Sequence, residues 1–272
     1  MNATSTPTAL LHGLNPEQAE AVSHGEGPLL VLAGAGSGKT RVLTRRLAWL
    51  VAHGVNEHAI VAMTFTNKAA GEMKERVGAL LATSQPRSFV GTFHAFGVRL
   101  LRRFHQEAGL PRSFVVFDSD DQLAVVKRAM KEQALNDKSV TPRAIQSRIS
   151  QAKNAGWRLD EYPRRFGEML GSRVAEIHRA YERALKAAGG LDFDDLLVRS
   201  ERLLRENAEV LSRCRASMQH LLVDEYQDTN RIQADLVRLL AGEKRNVFAV
   251  GDEDQSIYRW RGADIRNILD FE

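Results

Sequence analysis

The sequence of 272 residues has a single cysteine, Cys214, so it can form no intramolecular disulfide and cannot build a multi-cysteine zinc or iron–sulfur site. Its eight histidines include no pair at the i, i+4 spacing that sets two imidazoles on one helix face, which argues against a histidine metal site. No run of 18 apolar residues occurs, so no membrane span is expected. Residues 1–13 are polar and small, without a basic flank or an apolar stretch, and a secretory leader is not expected either. Internal repeats and low-complexity tracts are also lacking. A reducing, cytoplasmic setting is the natural expectation. What is present, 43% hydrophobic and 26% charged residues, is the composition of a globular protein, and the length allows about two domains.

Thirty-eight Lys and Arg against 34 Asp and Glu give a net charge of +4, unevenly spread. Residues 1–110 carry 11 basic and 7 acidic side chains, residues 111–190 carry 15 and 10, and residues 191–272 carry 12 and 17. The positive excess of the first two thirds fits a polyanionic partner and fits an ordinary solvated surface equally well. The hydrophobic pattern changes along the chain too. Short apolar runs at 29–33, 60–65, 89–90, 221–223 and 247–250 read as strands, several followed by amphipathic helical patterns. Leu43, Leu47, Leu50 and Val51 form one such pattern, Ala69, Met73, Val77 and Leu80 a second, and Ile232, Leu236, Leu239 and Leu240 a third. This alternation predicts a parallel sheet covered on both faces. Between residues 111 and 190 only 114–117 reads as extended, and the rest as helical. Ser119 and Gln122 there have capping-box spacing ahead of Leu123, Val126 and Met130. The expected architecture is an α/β domain made from residues 1–110 and 191–272, interrupted by a mainly helical insertion at 111–190.

The most informative segment is 29–40, LLVLAGAGSGKT, an apolar strand leading into a glycine-rich loop and then a helical pattern. A phosphate-binding loop requires that context. Glycines let backbone N–H groups turn inward around β- and γ-phosphates, and the helix N-terminus adds positive potential. Lys39 adds a point charge, and the Thr40 hydroxyl can ligate Mg²⁺. The candidate contacts are Ala33, Gly34, Ala35, Gly36, Ser37, Gly38, Lys39 and Thr40, with Ala33 where the strict pattern has its first glycine. The alternative, a flexible turn before a core helix, gives no packing reason for Gly-Lys-Thr at this place. Such a loop needs a metal carboxylate at the end of a neighbouring strand, and 221–225, LLVDE, offers one. Asp224 would hold Mg²⁺, mainly through water. Glu225, on the opposite side of an extended chain, would polarise a water against the γ-phosphate. Adjacent acids are common in surface turns, but joined to the phosphate loop they predict hydrolysis of a nucleoside triphosphate.

Seven blocks in order extend this picture: LNPEQ from Leu14, the loop ending Lys39-Thr40-Arg41, TFTNKAA from Thr64, GTFH from Gly91, LDFDDL from Leu191, DEYQDTN from Asp224 and GDEDQSIYRWRGA from Gly251. Through them the chain resembles the N-terminal part of superfamily 1A DNA helicases of the UvrD, PcrA and Rep type. The resemblance implies a RecA-like phosphate-loop NTPase domain with an inserted domain, ATP and Mg²⁺ as ligands, and single-stranded DNA as partner. It further implies 3′ to 5′ movement in DNA repair or replication. By position it gives Gln18 to adenine, with a polar helix-start role after Asn15-Pro16 as the alternative. Arg41 falls near the adenine or phosphates, and Gln255 at the γ-phosphate, where it could equally be a turn residue. Base stacking on aromatics with polar backbone contacts is the general chemistry of single-strand binding. The resemblance assigns that role to Phe65, Asn67, Thr92, Phe93 and His94, and to Tyr258, Trp260 and Arg261, with a satisfied loop histidine the alternative for His94 and a core position the alternative for Trp260. Phe193 is a further candidate, with core packing the alternative. These helicases continue with a second RecA-like domain whose arginines reach the γ-phosphate, so the expected partners include missing C-terminal domains. The competing expectation is an ATP- and single-strand-binding module without productive unwinding.

Overall fold

The computed structural model describes residues 7–133, 140–252 and 271. The elements begin with α1 (Pro7–Leu11), α2 (Pro16–Ser23), β1 (Leu29–Leu32), α3 (Lys39–Ala52), β2 (Ile60–Thr64), α4 (Asn67–Leu80), β3 (Phe89–Thr92) and α5 (Phe93–Arg103). Next come β4 (Val115–Val116), α6 (Ser119–Glu132), α7 (Pro142–Ala155), α8 (Tyr162–Phe166), α9 (Glu168–Ala187) and β5 (Gly190–Leu191). The chain then runs through α10 (Phe193–Glu206), α11 (Ala208–Ser217), β6 (His220–Val223), α12 (Arg231–Ala241) and β7 (Val247–Gly251).

Two compact units result. The first comprises residues 1–96 and 204–272, the second residues 97–203. The insertion is therefore wider than the 111–190 read from the sequence. Its limits fall inside α5 and α10, two continuous helices whose periodicity shows no break where one unit gives way to the other.

In the first unit five strands pair in the order β1-β7-β6-β2-β3, all parallel. Burial follows position: β7 and β2 are buried throughout and β6 nearly so, whereas the outer β1 and β3 are partly exposed. This is the pattern of a parallel sheet with helices on its faces. Val42, Leu43, Leu47 and Leu50 of α3 and Met73 and Val77 of α4 are buried in one core cluster with Ile60, Leu222, Phe248 and Val250. A buried cation ties α2 to α3. Arg46 donates to the carbonyls of Val22 (3.1 Å), Gly25 (2.8 Å) and His24, the unsatisfied end of α2. Burial pushes its guanidinium down to about 10, which leaves it charged at neutral pH.

The second unit is helical around Val126, Met130, Ile145, Ile149, Tyr162, Val174, Ile177, Tyr181 and Leu185, all buried. Three details differ from the sequence reading. The cap of α6 is Asp118, whose side chain accepts from the N–H groups of Asp120 and Asp121 while Asp121 returns the bond; Ser119 is already the first helical residue. Both pairs fit the capping-box spacing, and the stronger acceptor one residue earlier takes the role. Second, residues 115–116 pair with β5, a strand too short for alternation to reveal. Gly190 is required there, because a Cβ would lie 2.1 Å from the Phe117 ring. Among the described residues no helix is long and apolar enough to cross a membrane. Third, Leu123 of the expected α6 stripe is only half-buried, and Ala129 completes the buried face with Val126 and Met130.

Candidate active site

β1 delivers the glycine-rich loop to the carboxyl edge of the sheet. The ladder pairs Leu32 with Gly251, and the Ala33 N–H donates to Gly251 O at 3.0 Å, so the loop departs beside the end of β7. Gly36 and Gly38 have φ of 71° and 86°, left-handed conformations that favour glycine. Gly38 begins α3 with no side-chain cap, and a Cβ there would meet Gln18 Nε2 at 3.2 Å. The first turn of α3 therefore starts directly under the loop and carries Lys39 and Thr40.

Gln18 holds the loop from outside. Its Nε2 donates to Ser37 O (2.8 Å), its Oε1 accepts from the Asn15 N–H (3.2 Å), and its own N–H donates to Asn15 Oδ1 (2.8 Å). The helix-start role is thus real, and the same amide also reaches the phosphate loop. Arg41 donates from Nη2 to Gly13 O at 2.9 Å.

Lys39 lies folded against its own loop. Its Nζ donates to Ala33 O (2.7 Å) and Gly34 O (3.1 Å) and pairs with Asp252 Oδ2 (3.0 Å). Nothing in the sequence alone marks Asp252 or Gln227. The structure joins them: the Asp252 N–H donates to Gln227 Oε1 (3.0 Å), and Gln227 Nε2 donates to Glu225 Oε2 (2.8 Å). A continuous chain of contacts therefore runs from the Lys39 ammonium to the Glu225 carboxylate.

Asp224 is 2% exposed at the end of β6, with its N–H bonded to Met63 O of β2 at 2.9 Å. Its Oδ2 accepts from the Thr40 hydroxyl at 3.4 Å. Burial, and then the neighbouring Glu225 charge, push its carboxyl up to about 6, against the Thr40 bond and the Lys39 charge. Glu225 departs from the expected extended geometry. It sits at φ 51°, ψ 47°, a left-handed conformation that costs a non-glycine residue about 1–2 kcal/mol. This turn, not strand alternation, sets its side chain apart from that of Asp224. The conformation is held by the Gln227 bond, by Asp228 N–H to Glu225 O (2.9 Å) and by the buried turn 226–228. Strain retained beside a catalytic candidate is a common property of working sites. The end of the same block caps α12 through the reciprocal Asn230 and Gln233 bonds, both 2.9 Å.

The residues expected to meet a single strand separate into two kinds. Thr64 of β2 pairs with Thr92 of β3, which brings Phe65 and Phe93 side by side just past the carboxyl edge, rings edge-on with centroids 5.9 Å apart. Phe93 is only 1% exposed and Thr92 is 7% exposed, its hydroxyl capping α5 by accepting from the Ala95 N–H (3.1 Å). Those two underlie the surface at the start of α5, Thr92 as its cap and Phe93 as its first residue. Phe65 and His94 are half-buried and Asn67 is exposed. Phe193, at the start of α10 in the other unit, is 45% exposed, so the core-packing alternative does not hold for it. Gln255, Tyr258, Trp260 and Arg261 lie outside the described residues.

A cation, a hydroxyl and two carboxylates thus gather around the loop at the carboxyl ends of β1, β7 and β6, where open α/β sheets hold ligands. Phe65 and Asn67 lie along the same edge past β2.

The UvrD/REP helicase N-terminal domain model matches residues 14–272. The chain is 48% identical over 264 residues to the ATP-dependent DNA helicase PcrA of Bacillus subtilis (strain 168), covering 97% of this chain and 36% of that protein. It is 45% identical over 263 residues to DNA helicase II of Escherichia coli (strain K12), covering 96% and 36%, and 46% identical over 265 residues to PcrA of Leuconostoc citreum, covering 97% and 35%. The chain spans about 36% of the length of the curated relatives it matches.

Proposed function

The chain belongs to the UvrD/REP helicase N-terminal domain family, and on that premise we propose that it is the ATP-binding half of a DNA translocase motor. The observation that carries the proposal is the convergence of Lys39, Thr40, Asp224 and Glu225 on one glycine-rich loop. The loop backbone and α3 N-terminus bind phosphates, and Lys39, by exchanging the Ala33 and Gly34 carbonyls for phosphate oxygens, neutralises charge that grows during phosphoryl transfer. Thr40 and Asp224 offer two hard oxygens on a buried, charge-penalised carboxylate, a donor set that fits Mg²⁺, and they would hold it. When bound, that ion screens the phosphates. Glu225, oriented by Gln227, takes the proton of the attacking water. Gln18 and Arg41 border the same loop and complete the nucleotide contacts, with Gln255 at the γ-phosphate.

Single-stranded DNA is the proposed partner. Phe65, Asn67 and His94 meet it along the β2 and β3 edge over the supporting Thr92 and Phe93, and Phe193, Tyr258, Trp260 and Arg261 add stacking and phosphate contacts. The contact of Asp224 N–H with Met63 O, two residues before Phe65, gives a short covalent and hydrogen-bonded path between the two sites. Movement is 3′ to 5′, in DNA repair or replication, in the cytoplasm. Further C-terminal domains supply the arginines that complete catalysis, a contribution of about 10³- to 10⁵-fold in related phosphoryl transfer.

The test is steady-state ATP hydrolysis by this chain and by a full-length protein containing it, each with and without a single-stranded oligonucleotide and with Lys39→Ala as blank. Expected is DNA-stimulated turnover in the full-length protein that Lys39→Ala abolishes, with the 272-residue chain binding nucleotide but turning over near the blank. Turnover in the full-length protein that survives Lys39→Ala would overturn the assignment. Binding of ATP and DNA without turnover in either protein would favour the module reading.

A further inference from the structure

The second unit contains a buried ionic cluster that the motor chemistry does not use. Lys153 of α7 is 9% exposed, and its Nζ lies 2.7 Å from Asp192 Oδ2, 2.9 Å from Asp195 Oδ1 and 2.5 Å from Glu182 Oε1. The three carboxylates are close enough to one another to hold a cation, and the ammonium already fills that position. Asp192 and Asp195 have a second task. The Asp195 N–H donates to Asp192 Oδ1 (2.7 Å) and the Asp192 N–H to Asp195 Oδ2 (3.2 Å), the reciprocal box that starts α10. Each aspartate therefore gives one oxygen to the helix cap and the other to Lys153. Tyr181 adds a bond to Asp192 Oδ2 (2.8 Å), and Asn154, next to Lys153, donates to Asp194 Oδ1 (2.7 Å).

One residue of this turn is directed outward. Asp192 and Asp195 are 1% and 4% exposed, while Phe193 between them is 45% exposed. An aromatic on the first residue of a helix takes its direction from the cap, and here the cap is bolted to α7 by a charge. Stability alone does not call for such a cluster, since apolar replacements of buried ion groups are often as stable. We propose that Lys153 is a positioning residue for single-strand binding: by clamping both aspartates of the α10 cap it fixes the direction in which Phe193 presents its ring to a base. This rests on the proposed stacking role of Phe193.

The experiment is a double-mutant cycle in the full-length protein, using Phe193→Ala, Lys153→Met and the pair. Affinity is read by anisotropy on a single-stranded oligonucleotide, and stacking by the fluorescence of 2-aminopurine in that strand at saturating protein. Thermal unfolding and nucleotide affinity serve as controls. Tyr181→Phe, which removes one bond to Asp192 and no charge from the clamp, replaces Lys153→Met should that variant not fold. Expected is a loss of about 5- to 100-fold for Phe193→Ala, a comparable loss for the clamp variant, little further loss in the pair, and the same altered 2-aminopurine signal in both singles. A purely structural role would lower the melting temperature and leave the saturated signal unchanged. Losses that multiply in the pair, or a clamp variant with normal affinity and signal, would overturn the inference alone. An unchanged affinity for Phe193→Ala would overturn the stacking reading and the inference together.

Discussion

Each unit buries one lysine among oxygens, and the two are built to opposite ends. Lys39 has two carbonyls of its own loop and one carboxylate, Asp252, within 3.1 Å; Lys153 has three carboxylates within 2.9 Å. Both side chains are nearly as well buried, at 9% and 6% exposure. The difference lies in the partners. Carbonyls on a glycine loop are neutral and replaceable, so the Lys39 charge is only partly compensated and can be offered to an anionic ligand. Three carboxylates over-compensate the Lys153 charge, and Glu182, Asp192 and Asp195 come from α9 and the α10 cap, so that ammonium is fixed in place. Similar burial therefore produces a ligand-facing cation in one unit and an internal fastening in the other.

The sharpest break of that comparison is to remove each lysine in turn. Lys39→Ala is expected to lower kcat for ATP by at least about 10²-fold, the usual cost of losing a group that meets developing charge. It removes the cation from one carboxylate, Asp252. Lys153→Met removes it from three, and is expected to destabilise residues 97–203 by about 3–5 kcal/mol while ATP affinity stays within about twofold. Denaturant unfolding and nucleotide titration of both variants check this, and a larger stability loss at Lys39 than at Lys153 would refute the contrast.

A smaller effect tests how Lys39 is wired to the carboxylate it serves. Gln227 accepts from the Asp252 N–H and donates to Glu225, so Gln227→Leu keeps volume and removes both bonds. The misplacement of Glu225 is expected to lower kcat by about 10- to 100-fold, with KM for ATP within about threefold because the loop and Lys39 are untouched. A rise in KM with normal kcat would mean that Gln227 serves binding, not the orientation of Glu225.

The same contrast explains what was legible in the sequence. Ligand-facing chemistry in this fold is local: Ala33 to Arg41 are contiguous, Asp224 and Glu225 adjacent, and strand, loop and helix periodicities announce them. The five strands of the sheet were readable for the same reason, each being an apolar run with its own boundary. The Lys153 clamp was not, because its partners lie 29, 39 and 42 residues away and no local pattern marks a lysine as buried. Asp252 and Gln227 sat inside recognised blocks, but only the fold brings the ends of β6 and β7 together to show what they bond. The left-handed turn at Glu225 and the burial of Phe93 were hidden differently. Both depend on how a strand ends against its neighbours, which alternation along one strand does not encode.

The smallest expected effect is a pH dependence that separates the two units. Burial, then the Asp192 and Glu182 charges, push the Asp195 carboxyl up to about 7 against the pull of Lys153, while bonds from His178 and Lys153 hold Glu182 down to about 2 despite burial. The other groups facing them are Tyr181 and Tyr162, whose hydroxyls burial pushes above their ordinary range. A raised carboxyl contributes stability that is complete below its unfolded value near 3.8 and is lost as pH climbs through about 7. The Glu182 contribution is complete above 4.5 and disappears only toward pH 2. Between pH 5 and 8 the insertion should therefore lose stability through Asp195, with Asp194, raised by burial and the Asp192 charge, acting in the same direction. Asp224, raised to about 6, gives the sheet-bearing unit a decline of the same sign, so a global melting curve would mix the two. Hydrogen exchange followed separately in residues 97–203 and in the sheet resolves them. Asp195→Asn should reduce the first decline and leave the second, whereas Glu182→Gln, which removes one of the charges that raise Asp195, should move the first decline to lower pH and leave the second. If Asp195→Asn leaves the insertion's slope intact, the cluster holds its full negative charge at neutral pH, and Lys153 is bound by three ionised carboxylates rather than two and a shared proton.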